Sequence, residues 1–469
     1  MRVLFINPRA TYAGEIAQKC YPPLNLMYLC ASLAEAGHEA KIVDANAQNL
    51  SDDEIVSEAA RWRPGLVGMP VFSTISHHVY KLSDMLRKAR GADAVQVLGG
   101  PEASAIPDET LKWFYHVDYV LRGESEKSIC QLCEAIEGRR SLDRVDGLSH
   151  WGEGRVVHNR DAEPARDLDR TPRPARHLAE DAYRDGLYYT ILVRHRPVDT
   201  IITSRGCPFR CGFCYNTNHT YRFRSPEDVV DEICQIAARG IRDIEICDDT
   251  FTANRKRAAR IFDLIRKEKL GLSFRIKSRV NAMDGELMRK AKAAGVYIIS
   301  FGMESGVQEM LDRMNKRIKV EQIAEAVRMC RAAGIMSHGS FVIGYPGETP
   351  ATVKRTVNFI VGVKPTTVNV VALVPFPNTQ VYQEAKDAGW LEGDWDPRTG
   401  YVPWAKLPWM ETRADLDRVA RRARQKVYFR LYYATVFTRE IVRNFNLPLA
   451  LYAKQEAAKT LGKRGPKFF

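Results

Sequence analysis

The chain lacks several features that define other classes of protein. It has no run of eighteen apolar residues, which argues against a membrane-spanning helix. Met1 leads directly into the strand-like stretch Val3–Ile6 without a charged, apolar and small-residue leader, so we expect a cytoplasmic protein. Its 10 cysteines lack the dense, even spacing of a small secreted scaffold, which indicates reduced thiols available for metal. No G-x-G-x-x-G follows the first predicted strand, which disfavours a nicotinamide cofactor.

Acidic residues are in the minority, with 57 Asp and Glu against 70 Lys and Arg and a formal net charge of +13. An anionic partner would explain this excess, but basic residues also keep surfaces soluble, and nucleic acid is not expected. Hydrophobic residues make up 45% and charged residues 27%, as in ordinary globular proteins. A chain of 469 residues is too long for one core, so we expect two to four domains.

Short β-branched runs alternate with amphipathic stretches in residues 1–136. The runs are Val3–Ile6, Lys41–Val43, Leu66–Met69, Val95–Leu98 and Tyr119–Leu121. A predicted helix follows each run, and the first of these helices opens at Pro22-Pro23 and closes at Gly37. This α/β pattern predicts an N-terminal doubly wound parallel sheet, Rossmann-like, with ligands beyond the carboxyl ends of its strands.

The rest of the chain divides into three predicted segments. Residues 137–195 mix Arg, Asp and Pro with a hairpin signal around Trp151–Gly154 and are predicted to be a connector with little core. Residues 196–385 carry a second βα series, and residues 386–469 are predicted to form a mainly helical domain with a basic, aromatic-rich helix over Leu416–Phe445. That helix is typical of packing on its own protein, although contact with a membrane surface or a hydrophobic substrate remains open.

The second series contains six strand-like runs and predicts a central partial (β/α)6 TIM-type barrel. The runs are Thr200–Thr203, Ile244–Ile246, Ser273–Ile276, Tyr297–Ser300, Ser340–Ile343 and Val368–Val371. Residues at the carboxyl ends of such strands are the candidates for a site.

Three cysteines crowd the loop after the first barrel strand. Cys207, Cys211 and Cys214 supply soft thiolate ligands, which suit iron–sulfur clusters or zinc. Structural zinc would need a fourth ligand, and although His219 is near, the spacing is unlike that of a zinc ribbon or finger. Three ligands leave one iron of a cluster open, which is what a substrate-binding cluster requires.

This C-x-x-x-C-x-x-C motif, with an aromatic residue before its last cysteine, resembles the signature of the radical S-adenosylmethionine superfamily. Five later segments resemble the family in order and spacing, namely Asp248-Asp249, Lys277–Arg279, Phe301–Gly306, Gly339–Glu348 and Val374–Pro377. The resemblance implies a 4Fe-4S cluster on Cys207, Cys211 and Cys214, whose open iron chelates S-adenosylmethionine. It implies that Phe213, Asp248, Asp249, Arg279, Glu304, Ser305, Ile343, Gly344 and Val374 contact that cofactor.

The roles of these residues are also carried by the resemblance. Asp248 and Asp249 would contact the methionine amino group, although a helix N-cap is an alternative. Arg279 would pair with the methionine carboxylate unless it forms an ordinary surface pair. Glu304 would bind the ribose hydroxyls or the methionine end.

Three segments near the N-terminus, Tyr21–Leu24, Leu98–Glu102 and Val120–Glu126, resemble the cobalamin-binding domains that precede the radical barrel in one large class. The resemblance implies cobalamin contacts at Pro22, Gly99, Gly100, Pro101, Glu102, Gly123 and Glu124, although glycine turns occur in any doubly wound sheet. The chain has no Asp-x-His-x-x-Gly, so we expect cobalamin without a lower histidine ligand. His77 and His78 are expected to be solvated, and Cys130 and Cys133 to pack in a core.

The resemblance implies a cobalamin-dependent radical S-adenosylmethionine enzyme. A 5′-deoxyadenosyl radical would abstract a hydrogen, and methylation of an unactivated carbon or phosphinate centre is the leading outcome. Radical ring formation or rearrangement of a lipid or tetrapyrrole is one alternative, and a non-catalytic corrinoid or redox sensor is another. A transfer-RNA methylthiolase is disfavoured, because the front domain lacks a second cysteine trio. The expected partners are a small-molecule or lipid substrate and an external electron donor such as flavodoxin or ferredoxin.

Overall fold

The computed structural model describes residues 1–9, 19–89, 94–190, 192–215, 220–399 and 402–428, together with Thr435. The chain divides into two compact units. The N-terminal unit comprises Met1–Tyr188 and Asp394–Val402, and the barrel unit comprises Tyr189–Gly393 and the described residues after Val402.

The N-terminal unit is built on a seven-stranded sheet. The strands of this unit are β1 Arg2–Asn7, β2 Lys19–Cys20, β3 Glu39–Asp44, β4 Leu66–Pro70, β5 Val95–Gly99, β6 Tyr119–Leu121, β7 Leu148–Gly152 and β8 Arg155–His158. Its helices are α1 Leu24–Glu35, α2 Ala45–Gln48, α3 Asp52–Trp62, α4 Ser76–Lys88, α5 Pro101–Ala105, α6 Pro107–Trp113, α7 Glu126–Ile136 and α8 Glu180–Arg184. The order across the sheet is β3-β1-β4-β5-β6-β7-β8, and β2 lies outside it.

The side chains of strand β1 are buried on both faces of this sheet. Leu4 and Ile6 pack in one core cluster with residues of α3, α4 and α6. Val3 and Phe5 point to the opposite face and are also fully buried. Strands β3, β1, β4, β5 and β6 are parallel. The predicted doubly wound parallel sheet is confirmed.

The structure differs from the predicted connector over residues 137–195. Strands β7 and β8 lie in that range and extend the N-terminal sheet as an antiparallel hairpin. The hairpin predicted around Trp151–Gly154 is present, with Glu153 and Gly154 at positive φ. Every residue of strand β8 is exposed or half-buried. A strand without a buried face needs no apolar alternation, which is the pattern by which a strand is recognised in a sequence.

The barrel unit contains a six-stranded parallel sheet. The strands of this unit are β9 Tyr189–Thr190, β10 Val198–Ile201, β11 Ser204–Arg205, β12 Arg222–Phe223, β13 Asp243–Ile246, β14 Ser273–Ser278, β15 Val296–Glu304, β16 Met336–Ile343, β17 Thr367–Ala372, β18 Leu391–Glu392 and β19 Trp404–Ala405. Its helices are α9 Pro226–Ala238, α10 Arg255–Glu268, α11 Gly285–Ala293, α12 Gln308–Arg313, α13 Val320–Ala333, α14 Pro350–Val363, α15 Gln380–Asp387 and α16 Arg413–Tyr428.

The barrel strands follow the chain order β10-β13-β14-β15-β16-β17, and every neighbouring pair is parallel. Helices α9, α10, α11, α13 and α14 connect them, as six βα repeats predict. The partial barrel is therefore confirmed. Because all six strands run the same way, the loops that follow them gather at one edge of the sheet.

Helix α16 lies against the last barrel strand. Tyr428 Oη donates to the Val368 carbonyl and accepts from the Val368 N–H at 3.1 Å, and this covers the outer edge of β17. Trp404 is buried, and Trp409 Nε1 donates to the Glu348 carbonyl at 2.7 Å. In the predicted C-terminal helix Leu416–Phe445, the residues after Tyr428 other than Thr435 lie outside the described residues. None of the described helices is long and apolar enough to cross a membrane.

Candidate radical S-adenosylmethionine site

The cysteine loop follows β10 and β11 and is held on two sides. The Gly212 N–H donates to the Met314 carbonyl at 2.9 Å, and the Val381 N–H donates to the Gly212 carbonyl at 2.9 Å. A Cβ at position 212 would lie 2.9 Å from Tyr345 Oη, so only glycine fits without displacing that ring. These contacts fix the backbone between Cys211 and Cys214.

The three thiols suit a cluster better than a single metal ion. Cys207 and Cys211 are half-buried, and Cys214 is exposed. Among the residues that the structure describes, no group of three or more His, Cys, Asp or Glu side chains, the three cysteines included, is placed to hold a single metal ion. Three soft donors on one short loop fit a cluster, whose ligands bind separate iron atoms, and they leave one iron open.

Cys214 and Asp249 are both exposed. Desolvation is the largest cause that raises the pKa of each group, and the Asp249 carboxylate also raises the pKa of the Cys214 thiol. Asp249 is therefore close to the cysteine loop and accessible to a ligand.

Asp248 has a different environment from its neighbour. Its carboxylate is buried and accepts hydrogen bonds from Thr203 N and Thr203 Oγ1, both at 2.6 Å, and from Ser204 Oγ at 2.5 Å. These bonds join the end of β13 to the start of the cysteine loop. Asp248 therefore fastens the loop, whereas Asp249 is the member of the pair that is accessible to a ligand.

Arg279 follows β14 and is buried against the cysteine loop. Its Nη1 lies 3.6 Å from Cys211 Sγ, and its guanidinium carbon lies 3.8 Å from the ring centroid of Phe209. Its Nη2 donates to the Lys316 carbonyl. Its Nε is buried and has no hydrogen-bond partner among the described residues, so this N–H lacks the acceptor that a bound carboxylate could supply. Arg279 is not the surface pair that the sequence left open.

Glu304 ends β15 at a positive φ of 56°, which a non-glycine residue rarely adopts. Its buried carboxylate pairs with Lys316 Nζ at 2.7 Å. A register shift between Gly302 and Glu304 accompanies this conformation. Strained backbone at a buried charged residue is a frequent feature of functional sites.

Sequence reasoning missed Lys316. It lies in the loop after α12, where neither strand nor helix periodicity marks a residue as buried, yet it is only 6% exposed. Its Nζ is 5.7 Å from the ring centroid of Phe213. Lys316 therefore lies between the cysteine loop and Glu304, the carboxylate that is predicted to bind the cofactor. An otherwise uncommon buried lysine is the signal that only the structure supplies.

Ser305 is committed to internal contacts. Its Oγ lies 3.1 Å from Thr356 Oγ1 and accepts from the Val307 N–H at 3.2 Å, and the residue is fully buried. These bonds anchor the turn after Glu304 to α14. The geometry gives Ser305 a part in holding that turn.

The segment after β16 forms a tight turn. The Ile343 carbonyl accepts from Leu373 N at 2.7 Å, and the Gly344 N–H donates to Glu348 Oε2 at 2.6 Å. Glu348 is buried, and its Oε1 has no partner among the described residues. Burial raises the pKa of Glu348 to about 7. Val374 follows β17 and is half-buried.

Glu348 yields a prediction about pH. Its folded-state pKa is raised, so the folded protein binds more protons than the unfolded chain between about pH 4.5 and 7, and the free energy of unfolding falls as pH rises through that window. We expect Glu348→Gln to unfold with a shallower pH dependence and to gain stability relative to the unmodified protein at pH 8. Urea unfolding at several pH values measures this. Glu325→Gln, at a surface carboxylate, is the control, and parallel curves for Glu348→Gln would contradict the prediction.

In the N-terminal unit, the predicted cobalamin residues other than Pro22 lie at or just after the carboxyl ends of β5 and β6, and Pro22 precedes α1. Gly100 has a φ of +98°, and a Cβ there would lie 3.0 Å from the Val71 carbonyl oxygen. Only glycine therefore lets the chain turn from Gly99 into Pro101 and α5. This edge, beyond the strands of a doubly wound sheet, is where such folds bind ligands.

The other predicted cobalamin residues are placed as follows. Glu102 is buried, and its Oε2 has no partner among the described residues, while burial raises its pKa to about 7. The Gly123 N–H donates to Ser104 Oγ at 3.0 Å, which joins the loops after β5 and β6. Glu124 is half-buried and Pro22 is buried. An orphaned carboxyl oxygen beside paired glycine loops fits a polar ligand such as an amide-rich cofactor.

The histidines of α4 have partners within the N-terminal unit. His78 is buried, with Nε2 at 2.7 Å from Asp52 Oδ1 and Nδ1 at 3.1 Å from the Arg9 carbonyl. The expectation that His78 is solvated is therefore wrong, because its position on α4 turns it towards α3. His77 is exposed, and its Nδ1 lies 2.8 Å from the Arg398 carbonyl.

Cys130 and Cys133 are packing residues, as the sequence predicts. Cys133 is fully buried, and Cys130 Sγ lies 3.5 Å from the Ser32 carbonyl oxygen. Burial raises the pKa values of these thiols to about 11 and about 12. Both therefore stay protonated and are poor metal ligands.

Comparison with known proteins gives matches to both units. The Radical SAM superfamily profile matches residues 201–360, and the B12 binding domain profile matches residues 13–132. An uncharacterized methyltransferase of Pyrococcus horikoshii is 30% identical over 438 residues, which cover 92% of this chain and 93% of the relative. The anaerobic magnesium-protoporphyrin IX monomethyl ester cyclase of Rubrivivax gelatinosus is 29% identical over 453 residues, which cover 94% of this chain and 80% of the relative.

A solved structure supports the fold. The radical S-adenosylmethionine methyltransferase TsrM of Kitasatospora setae superposes with a TM-score of 0.75 at 21% identity, over 91% of this chain and 88% of that one. The Pyrococcus relative matches along nearly the whole length of both chains, and the two profiles match in the order that the two units require. The chain therefore belongs to the radical S-adenosylmethionine superfamily, as a cobalamin-dependent enzyme that uses a 4Fe-4S cluster, S-adenosylmethionine and cobalamin.

Proposed function

We propose that this enzyme methylates an unactivated carbon or phosphinate centre of a small molecule or lipid. The observation that carries the proposal is the near full-length match to the Pyrococcus horikoshii protein, which is named a methyltransferase. The 4Fe-4S cluster, when bound, supplies the electron that cleaves S-adenosylmethionine, and cobalamin supplies a carrier for the methyl group. The protein's own residues bind, orient and enclose these groups.

We assign Cys207, Cys211 and Cys214 as the cluster ligands, because they are soft donors on one braced loop. Asp249, Glu304 and Arg279 are the charged groups nearest that loop that can bind the polar parts of S-adenosylmethionine. Five further residues are assigned to the S-adenosylmethionine site from their places on the cysteine loop and at the strand ends, namely Phe213, Ser305, Ile343, Gly344 and Val374. Asp248 acts by holding the loop. For cobalamin we assign Pro22, Gly99, Gly100, Pro101, Glu102, Gly123 and Glu124.

Ring formation is a second candidate function. The Rubrivivax gelatinosus cyclase matches 94% of this chain at nearly the same identity as the Pyrococcus methyltransferase. Both activities would use the same barrel. They differ in whether the methyl group of S-adenosylmethionine enters the product.

The products of S-adenosylmethionine separate the two functions. A radical methylase uses the cofactor once as a methyl donor and once as the source of the hydrogen-abstracting group. With substrate, reductant and cobalamin, we expect S-adenosylhomocysteine and 5′-deoxyadenosine to accumulate together in comparable amounts, and a labelled methyl group to appear in the product. Deoxyadenosine with an unlabelled, cyclised or rearranged product would favour ring formation, and no turnover at all would favour a sensor.

The proposal extends to the electron donor, the cellular location and the membrane contact of the enzyme. A low-potential cluster needs an external electron donor, for which flavodoxin or ferredoxin is the expected class. A cysteine loop that binds iron needs a reducing compartment, which supports a cytoplasmic location. Contact of the basic C-terminal segment with a membrane surface is part of the proposal if the substrate is a lipid.

A further inference from the structure

Arg279 makes three contacts that tie it to the cysteine loop rather than to solvent. Its Nη1 faces Cys211 Sγ at 3.6 Å, its guanidinium stacks on Phe209 at 3.8 Å, and its Nη2 is held by the Lys316 carbonyl. The side chain is 5% exposed. A fixed positive charge therefore stands against one of the three thiols.

The segment Met314–Arg317, which we call the brace, contacts both sides of this arrangement. Met314 accepts from the Gly212 N–H at 2.9 Å, and Asn315 Nδ2 donates to the Arg210 carbonyl at 2.6 Å. Lys316 uses its backbone carbonyl to hold Arg279 and its Nζ to pair with Glu304 Oε1 at 2.7 Å. Lys316 is thus shared between the cysteine loop and the carboxylate assigned to S-adenosylmethionine.

The brace has an unusual backbone. Asn315 and Arg317 both adopt positive φ, at 49° and 51°. Such conformations are uncommon for non-glycine residues and persist where surrounding contacts determine them. The contacts to Gly212, Arg210 and Arg279 are those determinants, so the brace has one preferred shape.

We propose that Arg279 is a positioning residue that sets the reduction potential of the cluster, and that Lys316 couples this potential to the binding of S-adenosylmethionine at Glu304. The inference rests on the proposed assignment of the cluster to Cys207, Cys211 and Cys214. Reduction adds negative charge to a cluster and its thiolates, so a hydrogen bond and a positive charge at Cys211 Sγ stabilise the reduced form more than the oxidised form. Burial strengthens this effect, because solvent screens the guanidinium little.

The first test compares Arg279→Met and Arg279→Lys with the unmodified full-length protein after anaerobic reconstitution. Electron paramagnetic resonance during a redox titration gives the midpoint potential, and iron and sulfide analysis gives the cluster content. We expect Arg279→Met to retain its cluster and to shift the midpoint to a more negative value. Arg279→Lys should shift it less, since it keeps the charge but loses the rigid fork.

The second test uses Lys316→Met, which keeps the backbone carbonyl that holds Arg279 but loses the pair with Glu304. Without S-adenosylmethionine its midpoint should shift less than that of Arg279→Met, because Lys316 Nζ is paired with Glu304 whereas Arg279 Nη1 lies against Cys211 Sγ. With S-adenosylmethionine, the shift in midpoint that the unmodified protein shows should be reduced. Lys267→Met, at an exposed lysine of α10 outside the brace, is the matched control and should change neither value.

The outcomes separate this inference from the proposed function. An unmodified protein that forms no cluster, or a triple cysteine variant that keeps one, would remove the assignment on which the inference rests. A full cluster content with an unchanged midpoint in Arg279→Met would overturn the tuning role and leave the assignment intact. Loss of the cluster from both Arg279 variants would also overturn it, because Arg279 would then be needed only for the loop to fold. An unreduced shift in Lys316→Met would overturn the coupling.

Discussion

Replacing Cys207, Cys211 and Cys214 together by Ala should leave the anaerobically reconstituted protein without a four-iron cluster and without detectable 5′-deoxyadenosine formation. The expected loss is complete, because the variant removes all three thiolates assigned to the cluster and alanine cannot bind iron. Iron and sulfide analysis, the visible absorption of the cluster and product chromatography measure the result. The fold should survive, since the loop backbone is held through Gly212 rather than through the thiols.

The matched control is the pair Cys130→Ala and Cys133→Ala in the N-terminal unit. These substitutions remove the same chemical group at two sites, but their thiols are protonated packing residues. We expect the cluster to be retained in full, with a loss of stability of about 1 kcal/mol per buried thiol. Iron retained by the triple variant, or lost from the control, would move the cluster to another site.

Replacing Glu304 by Ala should depress S-adenosylhomocysteine and 5′-deoxyadenosine formation together, by about tenfold to a hundredfold at low cofactor concentration. The magnitude corresponds to the loss of one charge-assisted hydrogen bond of about 1.5–3 kcal/mol. The variant also leaves Lys316 buried without its carboxylate, and breaking a buried pair destabilises by about 3–5 kcal/mol. Equilibrium binding of S-adenosylmethionine, coproduct yields and urea unfolding are therefore measured on the same preparation.

Two further variants show whether the effect is specific. Glu309→Ala removes an exposed carboxylate paired with Arg355, and exposed pairs contribute little, so both coproducts should be unchanged. Gly100→Val places a side chain 3.0 Å from the Val71 carbonyl in the N-terminal unit, so it should suppress methyl transfer while some deoxyadenosine still forms. Equal loss of both coproducts in Gly100→Val would contradict separate cofactor sites in the two units.

The sequence by itself determined the two βα series, whereas the order of the strands across the N-terminal sheet is seen only in the structure. Each barrel strand from β10 to β17 is a short, buried, β-branched run followed by an amphipathic helix, and such periodicity is local information. The cysteine spacing also carries its chemistry locally, because three thiols within eight residues must share one loop. The edge hairpin β7–β8 escaped prediction as part of the sheet, since exposed edge strands have no apolar alternation to reveal them.

Only the tertiary structure decided which role each charged residue has. Asp248 and Asp249 are neighbours in sequence, but hydrogen bonds from Thr203 and Ser204 make the first an anchor and leave the second open to a ligand. Lys316 became part of the site because the loop after α12 folds back between Glu304 and Arg279. These relations join residues that are far apart in sequence, and no propensity or spacing encodes them, because burial and pairing of charge are decided by what the fold brings together.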